Sequence, residues 1–138
     1  MRYKFVNGKA IIILDAGDKV IKSLQEFAKK ENIFGFFFGL GAVKNPIIAY
    51  YDLSRKEYIK KQFFGEFEVT SIMGNITQDT EGNVIVHAHI NLADNSMNCW
   101  GGHLIEAEVS VTLEIIVITH EKISRKLDDR FKLKLISI

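Results

Sequence analysis

The residues best suited to chemistry crowd into two segments, Val86-His87-Ala88-His89-Ile90-Asn91-Leu92-Ala93-Asp94 and Cys99-Trp100-Gly101-Gly102-His103-Leu104-Ile105-Glu106, which together hold three of the four histidines. On an extended strand His87 and His89 leave the same face with Cα atoms about 6.5–7 Å apart. Two imidazoles at that spacing can converge on one ion at about 2.0–2.1 Å from each nitrogen. The connection from Asn91 to Gly102 is long enough to fold back and deliver His103 as a third ligand, with Gly101-Gly102 as a turn that aims it. Three neutral imidazoles suit zinc, copper, nickel or iron and leave a position open for water or a small-molecule ligand. The same His-x-His pair also reads as two solvated or backbone-bonded rings with no ion between them. Asp94 and Glu106 are candidate acids behind the ligands or general bases, and equally a loop acid and an exposed acid near an element start. Trp100 reads either as a pocket wall or as a core anchor. Cys99 is a further candidate ligand, although a lone cysteine is more often a small buried hydrophobe. His120, beside Thr119 and Glu121, is expected to face solvent.

Positioning those side chains takes a sheet. Val86, Ala88 and Ile90 alternate with the two histidines and would bury the opposite face of their strand. Period-two or continuous apolar patterning runs through most of the chain: Ala10–Leu14, Ile33–Val43, Ile47–Asp52, Glu57–Phe63, Glu66–Thr77, Val84–Asn91, Val109–Thr119 and Phe131–Ile136 all read as strands. Leu53-Ser54-Arg55-Lys56 and Asp79-Thr80-Glu81-Gly82-Asn83 are short enough to join antiparallel neighbours. One amphipathic helix stands out, with Val20, Ile21, Leu24, Phe27 and Ala28 on one face, Asp18 as its expected N-cap and its end near Glu31-Asn32. Phe34, Phe36, Phe37 and Phe38 put aromatics on both faces of one strand. Either a second layer or a second copy of the chain must cover the excess.

Composition bounds the rest. The 138 residues carry 18 Lys plus Arg against 17 Asp plus Glu, a net charge of +1. With a pI near 7.8 and no basic block, the chain lacks the electrostatic footprint of a dedicated nucleic-acid binder, and any DNA contact of a single copy should be weak. Hydrophobic residues at 47% and charged residues at 25% are those of a packed domain, and the length suits one domain over residues 1–138. A single cysteine permits no intramolecular disulfide. The most apolar stretch, Ile33–Val43, contains three glycines in eleven residues and is too short for a bilayer span, which needs roughly 20 apolar residues. Met1-Arg2-Tyr3-Lys4-Phe5 offers no apolar leader, so the expected setting is cytoplasmic, with no membrane partner. Gly39-Leu40-Gly41-Ala42-Val43-Lys44-Asn45 lacks the Lys-Ser/Thr of a phosphate loop and a following helix, and reads as a tight turn or bulge. No nucleophile elbow or supported Ser-His-Asp or Cys-His arrangement is present.

Taken in order, Asp15-Ala16-Gly17-Asp18 before the helix, then Gly39 to Asn45, then Gly65-Glu66-Phe67-Glu68-Val69-Thr70-Ser71-Ile72-Met73-Gly74-Asn75, then His87-Ala88-His89 and Gly101-Gly102-His103-Leu104, resemble the PPC (PCC) domain of plants and prokaryotes in its stand-alone prokaryotic form. The resemblance covers nearly the whole chain. It implies an α+β fold, a largely antiparallel β-sheet with one main helix packed on it, assembling as a homotrimer. It also implies a divalent-metal site, with zinc the first choice, at His87, His89 and His103. In plants the domain accompanies an AT-hook and the protein binds AT-rich DNA; no Arg-Gly-Arg occurs in this chain, and Glu66 stands where the plant motif Gly-Arg-Phe-Glu-Ile-Leu has its Arg.

Three functions follow as expectations. The first is a homotrimeric PPC-domain protein with a three-histidine metal site and a regulatory, DNA-associated role. The second is a metal-dependent enzyme acting on a small molecule at that site, with Glu106 or Asp94 as base and Trp100 lining the pocket. The third is an assembly module whose histidines are only structural.

Overall fold

Alternating β-branched and aromatic residues commit most of the chain to strands. The computed structural model describes residues 1–138 and arranges those strands around one helix. In order they are β1 (Arg2–Val6), β2 (Lys9–Asp15), α1 (Val20–Glu31), β3 (Phe34–Asp52), β4 (Glu57–Gln62), β5 (Glu66–Asp79), β6 (Val84–Ala93), β7 (Cys99–His120), β8 (Ser124–Asp128) and β9 (Leu133–Ser137). Every pairing is antiparallel except a short parallel contact of β5 with β8. The expected largely antiparallel sheet with one helix is what the chain forms. No helix is long and apolar enough to cross a membrane.

The sheet runs β1-β2-β7-β3-β5-β8-β9, with β4 on β3. β6 pairs with both β5 and β7, so the ladder β3-β5-β6-β7 closes on itself. Closure depends on the length of β7, whose start, Cys99 to His103, lies on β6 while the remainder lies on β3. Register shifts in β3 between Gly41 and Val43 and between Lys44 and Ile48 supply the bend.

Three features depart from the sequence reading. Ile33–Val43 and Ile47–Asp52 belong to one strand, because Pro46 sits inside a register shift where its missing N–H leaves no ladder bond unmade. The expected long return from Asn91 to Gly102 shrinks to the turn Asp94–Asn98, after which Cys99 to Glu108 is already strand. Gly101 and Gly102 are therefore strand residues: a Cβ on Gly101 would lie 2.4 Å from Asn91 Oδ1 and one on Gly102 2.9 Å from the Ala49 carbonyl oxygen, so close packing, not turning, requires them. β1 and β8 lack the pattern of buried strands and were not expected.

Ala10, Ile12 and Leu14 of β2, Ala88, Ile90 and Leu92 of β6, and Leu113, Ile115 and Val117 of β7 form one core with Val20, Leu24, Phe27 and Ala28 of α1. The opposite face is left open: Ile11, Phe36, Phe38, Leu40, Met73 and Ile118 are each between 40% and 63% exposed. The aromatics of β3 thus divide, Phe34 and Phe37 inward and Phe36 and Phe38 outward.

Nothing in its own sequence caps the start of α1. Its N-cap is Lys19, without a side-chain cap bond, and no acid lies in the first turn. Asp18, the expected cap, instead accepts a bond from the Asp15 amide at 2.9 Å. The helix is capped from β7, where Glu106 accepts from the Ile21 amide at 2.9 Å and the Lys22 amide at 3.2 Å. A carboxylate there satisfies two otherwise unpaired donors and complements the helix dipole. At the other end Asn32 takes the left-handed conformation and its amide bonds to the Ala28 carbonyl. Replacing Glu106 by Ala is expected to lower stability by about 1–2 kcal/mol in urea unfolding. A loss within experimental error would show that water caps the helix as well.

Candidate metal centre

Period two aims the histidines. With Ala88 and Ile90 buried in the core, His87 and His89 must project from the other face of β6. The tight turn then sets His103 of β7 directly opposite His89. Ring centroids are 5.2 Å apart for His87–His89, 5.2 Å for His87–His103 and 5.5 Å for His89–His103. One nitrogen from each ring lies within 4.8 Å of the others. A tetrahedral ion holds its donor nitrogens about 3.3 Å apart, so small side-chain rotations close the set onto one centre.

Burial keeps His87 and His103 neutral. The pKa of His87 is pushed down to about 4 by burial, then by the Arg125 charge and His89. That of His103 is pushed down to about 4 by burial, then by His87 and His89. Both are neutral at pH 7, the form that binds a divalent ion. His103 stacks on Tyr58, centroids 4.6 Å apart, and its buried Nδ1 has no hydrogen-bond partner. An unpaired buried ring nitrogen is the free donor an ion requires.

Known proteins share this fold. Residues 1–121 match the family model of the Plants and Prokaryotes Conserved (PCC) domain. The chain belongs to the PCC domain family. Among solved structures it is similar to a plant- and prokaryote-conserved protein of Pyrococcus horikoshii, at 30% identity over 99% of this chain and 95% of that one, with a TM-score of 0.85. A protein of Bacteroides thetaiotaomicron, provisionally designated DNA-binding, superposes with a TM-score of 0.94 at 27% identity, covering 99% and 96% of the two chains. A metal-containing protein of Archaeoglobus fulgidus superposes at 0.86 with 28% identity, covering 100% and 99%. Comparison with curated proteins returns no match.

The other residues singled out in the sequence of this PCC domain serve elsewhere. Asp94 builds the turn: its carboxylate accepts from the amides of Ser96 at 2.8 Å and Asn98 at 3.0 Å and from the Trp100 indole at 3.4 Å. It lies five residues from His89, about 16 Å of extended chain. Trp100 packs on Phe63 at 5.6 Å with Lys61 over its ring, and Glu106 is spent on the helix. None of the three meets the imidazoles. Cys99 is exposed beside the same turn, and His120 is half-buried against Phe36, not free in solvent.

What the sequence reading missed is the wall behind the rings. Arg125 of β8 lies with its Nη2 3.4 Å from His87 Nδ1, at the long end for a hydrogen bond, so the contact leaves the ring's tautomer open. No local pattern marks Arg125, since a short strand with one inward arginine carries no periodic signal. Tyr58 lies on the expected strand Glu57–Phe63, but its stacking on His103 joins residues 45 positions apart, which no local pattern encodes. A cavity of about 450 Å³ lies beside His87 and His89 with Phe36, Phe38 and Met73 in its lining, and one of about 240 Å³ reaches His87 and His103 past Arg125.

The depressed pKa values carry a sign. Between pH 6.5 and about 4 the unfolded chain takes up protons at His87 and His103 that the folded chain refuses, so stability falls as pH is lowered through that window and the loss stops below it. In metal-free protein the thermal midpoint should drop across that range more steeply than in a His87→Gln/His103→Gln double variant. Equal slopes would mean that both rings protonate freely in the fold.

Proposed function

We propose that this PCC domain binds one divalent ion, zinc before others, at His87, His89 and His103, that it works as a homotrimer, and that its role is regulatory and DNA-associated. The observation that carries the metal reading is that one nitrogen from each of three imidazoles lies within 4.8 Å of the others. The unpaired Nδ1 of His103 supports it, as does the likeness to a metal-containing archaeal protein. When bound, such an ion supplies Lewis acidity and lowers the pKa of a coordinated water.

The trimer reading is supported by the open apolar face of Ile11, Phe36, Phe38, Leu40, Met73 and Ile118, a patch that folded single chains seldom leave in water. That face ends at the histidines: cross-strand partners run from His103 through His89, Met73, Phe38 and Ile116 to Ile11. DNA association is supported by the provisional designation of the structural neighbour from Bacteroides. With a net charge of +1, a single copy offers little to a phosphate backbone, so such contact depends on assembly. A second reading, a metal-dependent enzyme acting on a small molecule, is favoured by the cavity beside His87 and His89.

Protein purified without a histidine tag should contain about one metal equivalent per chain, and His87→Ala with His89→Ala should abolish it; full retention would remove the ligand set. Light scattering should give three times the 15.7 kDa chain mass, and Phe38→Asp should lower it. A 15.7 kDa particle would end the trimer reading. Retardation of an AT-rich duplex should weaken linearly in log salt, and none at low salt would end the DNA reading.

A further inference from the structure

Arg125 is 6% exposed, yet every group it touches is neutral. Nε donates to Thr77 Oγ1 at 2.8 Å, Nη1 to the Lys134 carbonyl at 2.7 Å, and Nη2 to Asn75 Oδ1 at 2.8 Å, with His87 Nδ1 at 3.4 Å. It takes part in no ion pair. The nearby carboxylate of Asp79 is already committed, to Lys134 at 2.8 Å and to the amides of Glu81 and Asn83. A guanidinium buried without a counter-ion is costly, and neutral acceptors compensate its hydrogen bonds but not its charge. Tethering β8 to β5 needs only those hydrogen bonds. The charge itself is unexplained by the fold.

The guanidinium opens onto the smaller cavity, about 240 Å³, whose polar wall is Tyr58, His87, His103, Arg125 and Lys134 and whose other wall is aliphatic side chains of β6 and β9. Of the five N–H donors of Arg125, three have partners at 2.7–2.8 Å and a fourth faces His87 Nδ1 at 3.4 Å, which leaves one on Nη1. Because Lys134 is neutralised by Asp79, the cavity carries one unbalanced positive charge.

We propose that this cavity takes a small organic monoanion, a carboxylate on a short apolar body, with an oxygen lodged between Arg125 and the imidazole centre. One unbalanced charge matches one carboxylate, and the aliphatic wall matches a hydrocarbon chain. A guanidinium beside a divalent ion is repulsive, and an anion between them relieves both. This is the ligand that the proposed metal centre would hold, so its second contact rests on that centre while its contact with Arg125 does not. A duplex backbone is a poor occupant, since a phosphate ridge cannot reach a side chain so deeply buried. Arg125 also lies beyond the residues matched by the PCC family model, 1–121.

Calorimetric titration of the tag-free protein with butyrate and benzoate, against butyramide and benzamide, tests this directly. Saturable binding of the acids and none of the amides is expected. Arg125→Gln should weaken the acids roughly 10- to 100-fold, as for loss of a charge-assisted hydrogen bond, and Arg125→Lys should recover part of it. Should Arg125→Gln fail to fold, Leu135→Trp fills the cavity while leaving the contacts of Arg125 intact, and it should abolish binding. Metal content measured in each sample separates the two readings. Acids that bind chelator-treated protein in an Arg125-dependent way support the anion site, and an affinity unchanged when metal is restored removes its metal contact. Fully metallated protein that binds no acid, equal affinity in Arg125→Gln or Leu135→Trp, or binding of inorganic phosphate alone would overturn the carboxylate proposal.

Discussion

Burial of Ala88, Ile90 and Leu92 is the constraint on which the site depends, because a strand with one face in the core has no freedom over what its other face shows. A slip of β6 by one residue would drive His87 and His89 inward and turn three aliphatic side chains to water. The register against β7 is pinned by the turn Asp94–Asn98, where one carboxylate gathers two amides and an indole. Asp94 therefore serves the imidazoles without approaching them: it decides that His103, and not a neighbour, stands opposite His89.

Electrostatics sharpens what geometry assembles. His87 and His103, both partly desolvated, resist protonation, and the guanidinium behind His87 adds to that resistance. The same guanidinium has no acid of its own. A site that holds neutral donors on one side and an unbalanced cation on the other is arranged to receive charge from outside, which links the proposed metal centre to the ligand proposed for the smaller cavity.

The closed ladder explains why these parts share one face. With α1 covering the inner side of β2, β6 and β7, the outer side of β3, β5 and β7 is left apolar and uncovered, and the histidines stand at its margin. The open apolar surface and the three-histidine cluster are then neighbours on one sheet. Glu106 holds the inner side together, since it lends the helix a cap that the segment before it lacks.

Local pattern alone determined the helix from its three-and-four spacing, the antiparallel sheet from its period of two, the hairpin at Asp79 to Asn83, the common face of His87 and His89 and the family resemblance. Each of these is decided between residues a few positions apart, where backbone geometry leaves few choices. The unbroken course of β3 past Pro46, the strand at Cys99 to Glu108, the reassignment of Asp94, Trp100 and Glu106 to turn, packing and cap, and the arrival of Tyr58 and Arg125 behind the rings were decided by tertiary structure. Arg125 meets Asn75 across 50 residues and Glu106 meets Ile21 across 85. Partners that distant are chosen by which surfaces the closing sheet brings together, and no short window of sequence contains both.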